Sequence, residues 1–168
     1  MKRRLVLKKG KIHSTGSPGH VIHLSIKIVS WLKPFCRKIE IAGSVRRKSK
    51  TPVDIDVVLV PKDKEKIISF LKTKGRFLQG GGKKASFRIQ KVKVELYFTT
   101  PESFGATLLA YSSKFGSAIG LRVVARKKGF KLNQYGLFDR KTKRYIAGRT
   151  EEDIYHALGR EYKEPWNR

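Results

Sequence analysis

Apolar residues recur near the start of the chain at Val21, Leu24, Ile28, Trp31 and Phe35, in steps of three and four that place them on one face of a helix. Ser17 followed by Pro18 supplies an N-cap and a first-turn proline, so the pattern predicts a helix over 18–33 that stops before Pro34. The period then falls to two. "KIEIAGS" alternates as a strand, and residues 53–60 read as a second strand that is almost wholly apolar around and after its two acids. Ile67, Ile68 and Leu71 share a helical face that ends by Gly75. "QGGGKKA" then reads as a flexible loop, and residues 85–90 and 92–99 read as paired strands with Gln90-Lys91 as the tight turn. Helix, strand, strand, helix, strand, strand is the order of a mixed sheet backed by helices.

From Thr100-Pro101 the texture becomes helical, over 101–111 and 116–128, with Gly129 as the stop. A short hairpin is predicted within "LNQYGLFDRKTKRYIAG", and Thr150 with Asp153 caps a last helix that runs up to Gly159. The pattern therefore predicts an α+β chain in three parts: a basic segment at 1–17, a sheet-and-helix lobe at 18–100, and a smaller helical and hairpin lobe at 101–168.

Charge changes the picture. Among 168 residues, 39 Lys and Arg face 13 Asp and Glu, a formal net charge of +26, and such self-repulsion calls for a polyanion in use. Nucleic acid is the expected partner. No apolar run approaches the length of a bilayer span, so no membrane segment is expected. "MKRRLVLKK" is basic but leads into no apolar core with a small-residue cleavage site, which argues against a secretory signal. The lone Cys36 offers neither an intrachain disulfide nor a thiolate cluster for zinc, and points to a reducing, intracellular compartment.

Against this basic background, two of the few acids stand in the apolar strand. Asp54 and Asp56, at i and i+2, project from the same strand face while Ile55, Val57 and Leu59 line the other. Two such carboxylates need positive charge between them. An arginine or lysine serves, and the spacing also suits a pair of divalent cations. Glu95, in "KVKVELYF", alternates with Val94 and Leu96 and so faces away from the core. Three carboxylates on one sheet face are the makings of a two-metal site for phosphoryl transfer. Upstream, Gly43-Ser44 follows a strand and opens a turn whose free N–H groups and hydroxyl suit phosphate oxygens, with Arg46 and Arg47 adding charge. The triple glycine before Lys83 and Lys84 has the wrong spacing for a P-loop, and these two lysines are expected in solvent or on a strand phosphate. His20 and His23 share a helical face without a third zinc ligand near them.

"GSVRR" followed by "DID" resembles the signature of the nucleotidyltransferase superfamily and, within it, the DNA polymerase X family. "GLRVVARKKGFKLNQYGLF", "RYIAGRTEEDIYHALG" and "YKEPWNR" are similar to the thumb of that family, so the resemblance runs over residues 18–168 as palm followed by thumb. It implies a template-directed DNA polymerase that fills short gaps in DNA repair as a monomer, with gapped or primer-template DNA and nucleoside triphosphates as partners. By the same resemblance Asp54, Asp56 and Glu95 hold two magnesium ions, for which manganese substitutes. Gly43, Ser44 and Arg47 bind the triphosphate, and Tyr111 lies against the incoming sugar. Arg122 reaches the template's minor groove, Lys93 orients Glu95, and Tyr135 packs behind the nascent base pair. The chain departs from the family in three places. Glu95 stands where the family usually has Asp, Ser112-Ser113-Lys114 replaces a "TGS" turn, and Ala118 replaces a base-contacting polar residue. It is also expected to lack the N-terminal lyase domain of the cellular relatives. Two other functions remain open at this level: nucleotide transfer to RNA ends or another acceptor, and DNA binding on a catalytically decayed palm.

Overall fold

The computed structural model describes residues 16–168, so all but the last two residues of the basic segment at 1–17 lie outside the described residues. Helix α1 (Pro18–Leu32) opens where its cap predicts. The Ser17 hydroxyl accepts the His20 N–H, and Val21, Leu24, Ile28 and Leu32 are buried along one face. Strand β1 (Cys36–Ile41) leads into a single helical turn, α2 (Gly43–Arg46), and then β2 (Asp54–Pro61) and α3 (Lys64–Lys72). Three strands follow, β3 (Arg76–Gly80), β4 (Lys84–Ile89) and β5 (Val92–Phe98).

Strand β3 corrects the sequence reading, which left its region without a strand and took Gln79 and Gly80 into a flexible loop. Gln79 and Gly80 pair with Ser86 and Ala85, and only residues 81–83 separate β3 from β4. The strand forms because Phe77 packs edge-on against Phe87 at 5.4 Å, and the Lys64 ammonium donates to the carbonyls of Gly81 and Gly82 and so fixes the turn. It was hard to see because β3 is an exposed edge with little alternation of apolar and polar positions. The turn at Gln90-Lys91 is where the pattern put it, with both residues in the left-handed region, φ 47° and 66°, as a two-residue hairpin turn requires.

The five strands lie in the order β1-β2-β5-β4-β3. Only the central pair β2–β5 is parallel, and its register sets Asp54 beside Lys93 and Asp56 beside Glu95. Helices α1 and α3 cover one sheet face and bury Ile55, Val57, Leu59, Phe87, Ile89, Val94 and Leu96. Each such side chain contributes roughly 1.5–3 kcal/mol on leaving water. Helix α4 (Phe104–Ser112) covers part of the opposite face, with Phe104 and Leu108 packed on Val58, Val60 and Tyr97. It leaves the end of that face that bears Asp54, Asp56 and Glu95.

The other side of α4 enters a second core. Ala106 and Leu109 pack with Leu121 and Ala125 of α5 (Phe115–Lys127) and with Leu137, Ala147, Ile154, Tyr155 and Leu158. In place of the expected hairpin there is a three-stranded antiparallel sheet of β6 (Phe130–Asn133), β7 (Gly136–Asp139) and β8 (Tyr145–Ala147). The extra reversal is made by Asp139, whose carboxylate accepts the N–H groups of Lys141 and Thr142, both at 2.8 Å. Helix α6 (Glu151–Ala157) is capped by Thr150, which accepts the Asp153 N–H at 3.0 Å. Among the described residues no helix is long and apolar enough to cross a membrane.

Candidate active site

The parallel register and the alternation of strand side chains bring Asp54 and Asp56 of β2 and Glu95 of β5 onto one face, as the spacing predicts. Gly43 lies directly against Asp56. Its φ is +60°, and a Cβ there would overlap the Asp56 carboxylate, so both backbone and space demand glycine. The Ala42 N–H donates to the Asp56 carbonyl at 2.8 Å and anchors the start of α2 to β2. One residue on, the Ser44 hydroxyl is buried without a hydrogen-bond partner.

The electrostatics of the three acids differ. Burial, and then the charges of Asp54 and Glu95, push Asp56 up to about 7. Burial acts on Glu95 in the same sense but is outweighed by Lys84 at 2.8 Å, Lys93 at 2.6 Å and the Tyr97 hydroxyl at 2.9 Å, which bring it down to about 2. The Tyr97 hydroxyl also lies 3.2 Å from Asp56 Oδ1. Burial and the two neighbouring carboxylates hold its proton well above the ordinary phenol range. Positive charge is thus concentrated on Glu95, while on Asp56 the pull of Lys84 and the Tyr97 hydroxyl is outweighed by burial and the neighbouring acids. Asp54 and Asp56 are hard oxygen donors, and the raised Asp56 marks a local shortage of positive charge, so both suit a divalent cation. Among the described residues no three acidic, histidine or cysteine side chains converge on one point. Glu95 is turned to its lysines and joins such a set by turning away from them.

The remaining predicted residues fall into groups. Lys93 lies on the same face as Glu95 and pairs with it, as expected. Lys84 was expected free in solvent or on a phosphate, and instead is bound to Glu95, because β4 runs antiparallel beside β5 and sets Lys84 next to Tyr97. Lys83 is also engaged. Its ammonium donates to the Tyr135 hydroxyl at 2.6 Å and lowers that phenol's pKa, joining the β3–β4 turn to the β6–β7 turn. The two line a cavity of about 450 Å³ together with Tyr97 and Tyr111. Tyr111 stacks on Tyr97, with ring centroids 3.7 Å apart at 18°. Arg47 donates to the Ser112 carbonyl at 3.3 Å, which brings the end of α4 to the Gly43-Ser44 turn. Arg122 is exposed on α5, and no contact joins it to the carboxylates.

Two features escaped the sequence. Tyr97, two residues past Glu95 and so on the same strand face, was legible by the rule that found the carboxylates. The pairing of Arg46 with Glu151 had no local signal. Arg46 donates to Glu151 at 3.0 and 2.6 Å, and Arg168 adds a 2.8 Å contact.

A mixed sheet with a carboxylate face beside a Gly-Ser turn, followed by a helical lobe with its own small sheet, matches the palm-and-thumb plan expected from the sequence. Residues 118–168 match the DNA polymerase beta thumb family. The chain is 26% identical over 147 residues to the repair DNA polymerase X of African swine fever virus (isolate Tick/Malawi/Lil 20-1/1983), an alignment that covers 82% of this chain and 84% of the viral protein. It is 32% identical over 78 residues to the DNA nucleotidylexotransferase of Xenopus laevis, covering 46% of this chain and 15% of that protein. With the DNA-directed DNA/RNA polymerase mu of Homo sapiens it shares 34% identity over 90 residues, covering 53% of this chain and 18% of the human protein. The chain is thus similar to polymerases of the X family over most of its length, in a palm-and-thumb form similar in plan to the viral polymerase.

Proposed function

We propose that this protein is a template-directed DNA polymerase that fills short gaps in DNA repair, transferring a nucleotide from a triphosphate to a primer 3′-hydroxyl with release of pyrophosphate. The observation that carries this reading is the row of Asp54, Asp56 and Glu95 on adjacent parallel strands, set beside the partnerless Ser44 hydroxyl. Asp54 and Asp56, with Glu95 as the third ligand, would hold magnesium, or manganese in its place. When bound, these ions supply an activated 3′-hydroxyl and neutralise charge on the triphosphate.

The chain's own groups do the rest. Ser44 donates to a phosphate oxygen, and Gly43 lets the backbone approach it. Arg47 neutralises charge on the leaving group. Lys84 and Lys93 hold Glu95 ionised, so it is available as a ligand throughout the physiological range. Tyr111 supports the incoming sugar. Arg122, Lys83 and Tyr135 contact the DNA, whose phosphates balance the +26 charge of the chain.

A duplex with a one-nucleotide gap, offered each of the four deoxynucleoside triphosphates in turn, tests the reading. Insertion of the complementary nucleotide with stoichiometric pyrophosphate is expected. Addition regardless of template, or to RNA ends in preference to gapped DNA, contradicts it. Tight DNA binding with no pyrophosphate indicates the decayed palm instead.

A further inference from the structure

Tyr97 is the one side chain among the described residues whose hydrogen bonds reach both Asp56 and Glu95. It leaves β5 two residues after Glu95 and lies opposite Val58 of β2 and Lys84 of β4. Its hydroxyl is 2.9 Å from Glu95 Oε2 and 3.2 Å from Asp56 Oδ1, so one polar atom spans the two central strands. A phenol carries a single proton and cannot donate to two carboxylates at once. Its oxygen therefore sits between them as a shared spacer, donating to one and facing the other.

The ring is fixed as firmly as the hydroxyl. It is buried, 7% exposed, with the Lys84 ammonium 5.1 Å from its centroid and the Tyr111 ring stacked on it at 3.7 Å. Tyr111 belongs to α4, the helix that packs into both cores. Helix α4, the Tyr111 ring, the Tyr97 ring, its hydroxyl and the two carboxylates thus form one continuous chain of contacts.

We propose that Tyr97 is a positioning residue. Its hydroxyl holds Asp56 and Glu95 side by side, so that Glu95 on turning from its lysines meets Asp56 at one metal ion, and its stack on Tyr111 ties that placement to the nucleotide side of the site. This rests on the polymerase reading and adds to it a residue that acts through the two carboxylates it bonds. Partners of this kind, which orient ligands without ligating, typically set metal affinity by about 10–100-fold.

Tyr97→Phe removes the oxygen and keeps the stack. Binding of Mn2+ to the metal-free protein, followed by the loss of the free-ion paramagnetic signal, is expected to weaken by about 10-fold. The Mg2+ concentration for half-maximal incorporation rises in step, while KM for the nucleotide stays within about 2-fold of the parent and thermal unfolding shows a folded protein. Tyr111→Ala, which keeps the hydroxyl and removes the stack, is expected to weaken Mn2+ binding as well and to raise the nucleotide KM. It serves as the second variant if Tyr97→Phe does not fold. Parental Mn2+ affinity in both variants overturns the proposal. A loss of kcat in Tyr97→Phe with unchanged metal affinity overturns it too. The Mn2+ titration needs no turnover, so a parent protein that incorporates no nucleotide overturns the polymerase reading and leaves the role of Tyr97 to be decided by the titration.

Discussion

Arg46 grips Glu151 through both guanidinium nitrogens, at 3.0 and 2.6 Å, and so ties the turn that carries Ser44 to the first residue of α6. The carboxylate is only 3% exposed and takes a second cation, Arg168, at 2.8 Å. Burial would raise the Glu151 pKa, but Arg46 and Arg168 outweigh it and hold it low.

Removing Glu151 strands two cations in a dry site. Glu151→Ala is expected to cost about 3–5 kcal/mol in a urea melt at neutral pH, the range for breaking a buried ion pair from one side. The sign with pH follows from the lowered pKa. The stabilisation is fully present above the ordinary glutamate range and is lost as pH falls through the folded-state value. The gap between parent and variant should therefore shrink in acid. A variant that melts with the parent at pH 7 would show the pair to be energetically idle.

Gly43→Ala is expected to abolish nucleotide incorporation while costing only about 1–3 kcal/mol of stability. The new methyl group lands on the Asp56 carboxylate and sits at φ +60°. Incorporation at the parental rate would mean that the Gly-Ser turn does not adjoin the reacting groups.

Asp56 is held up at about 7, against an unfolded value of 3.8, so between these two values the folded protein holds a proton that the unfolded chain has lost. Metal-free stability should fall as pH rises across that window. Asp56→Asn cannot lose that proton. Its melting temperature, without metal, should match or trail the parent near pH 5 and exceed it by several °C at pH 8, on the order expected for a few kcal/mol. An advantage that does not grow with pH would remove the buried, repelled carboxylate from the picture.

Glu95 is one methylene longer than the aspartate usual in the family, and it is drawn to Lys84 and Lys93. Magnesium demands near-ideal octahedral geometry at about 2.0–2.1 Å. Manganese suits the same oxygen ligands, and we expect it to tolerate the misfit better. The parent should therefore be stimulated by manganese over magnesium. Glu95→Asp should narrow the ratio, and Glu95→Gln should be nearly inactive with either ion. Full activity of Glu95→Gln in magnesium would make Glu95 a structural partner of its two lysines.

Much of this was legible along the chain. Helix α1 is marked by Ser17-Pro18 and a clean helical period, and Asp54, Asp56 and Glu95 stand out because acids at i and i+2 in an apolar strand share a face. Strand β3 lacked such a mark, since an exposed edge has little period. Sequence alone does not give register, so the bond from Lys84 to Glu95 had to come from the antiparallel β4–β5 pairing. The Arg46–Glu151 pair joins distant segments and leaves no local trace, and the convergence of Arg168 on the same carboxylate could not be read from the last residue of the chain.

Single-turnover incorporation into one-nucleotide gapped DNA, compared between the parent and Asp54→Asn with DNA affinity measured in parallel, bears most directly on the carboxylate site. The expected result is template-complementary insertion by the parent. The variant should lose about a thousand-fold or more, roughly 4 kcal/mol of transition-state stabilisation, while its DNA affinity stays the same or tightens as a charge that repels phosphate is removed. Insertion by Asp54→Asn at near the parental rate would contradict the assignment of this sheet face to nucleotidyl transfer.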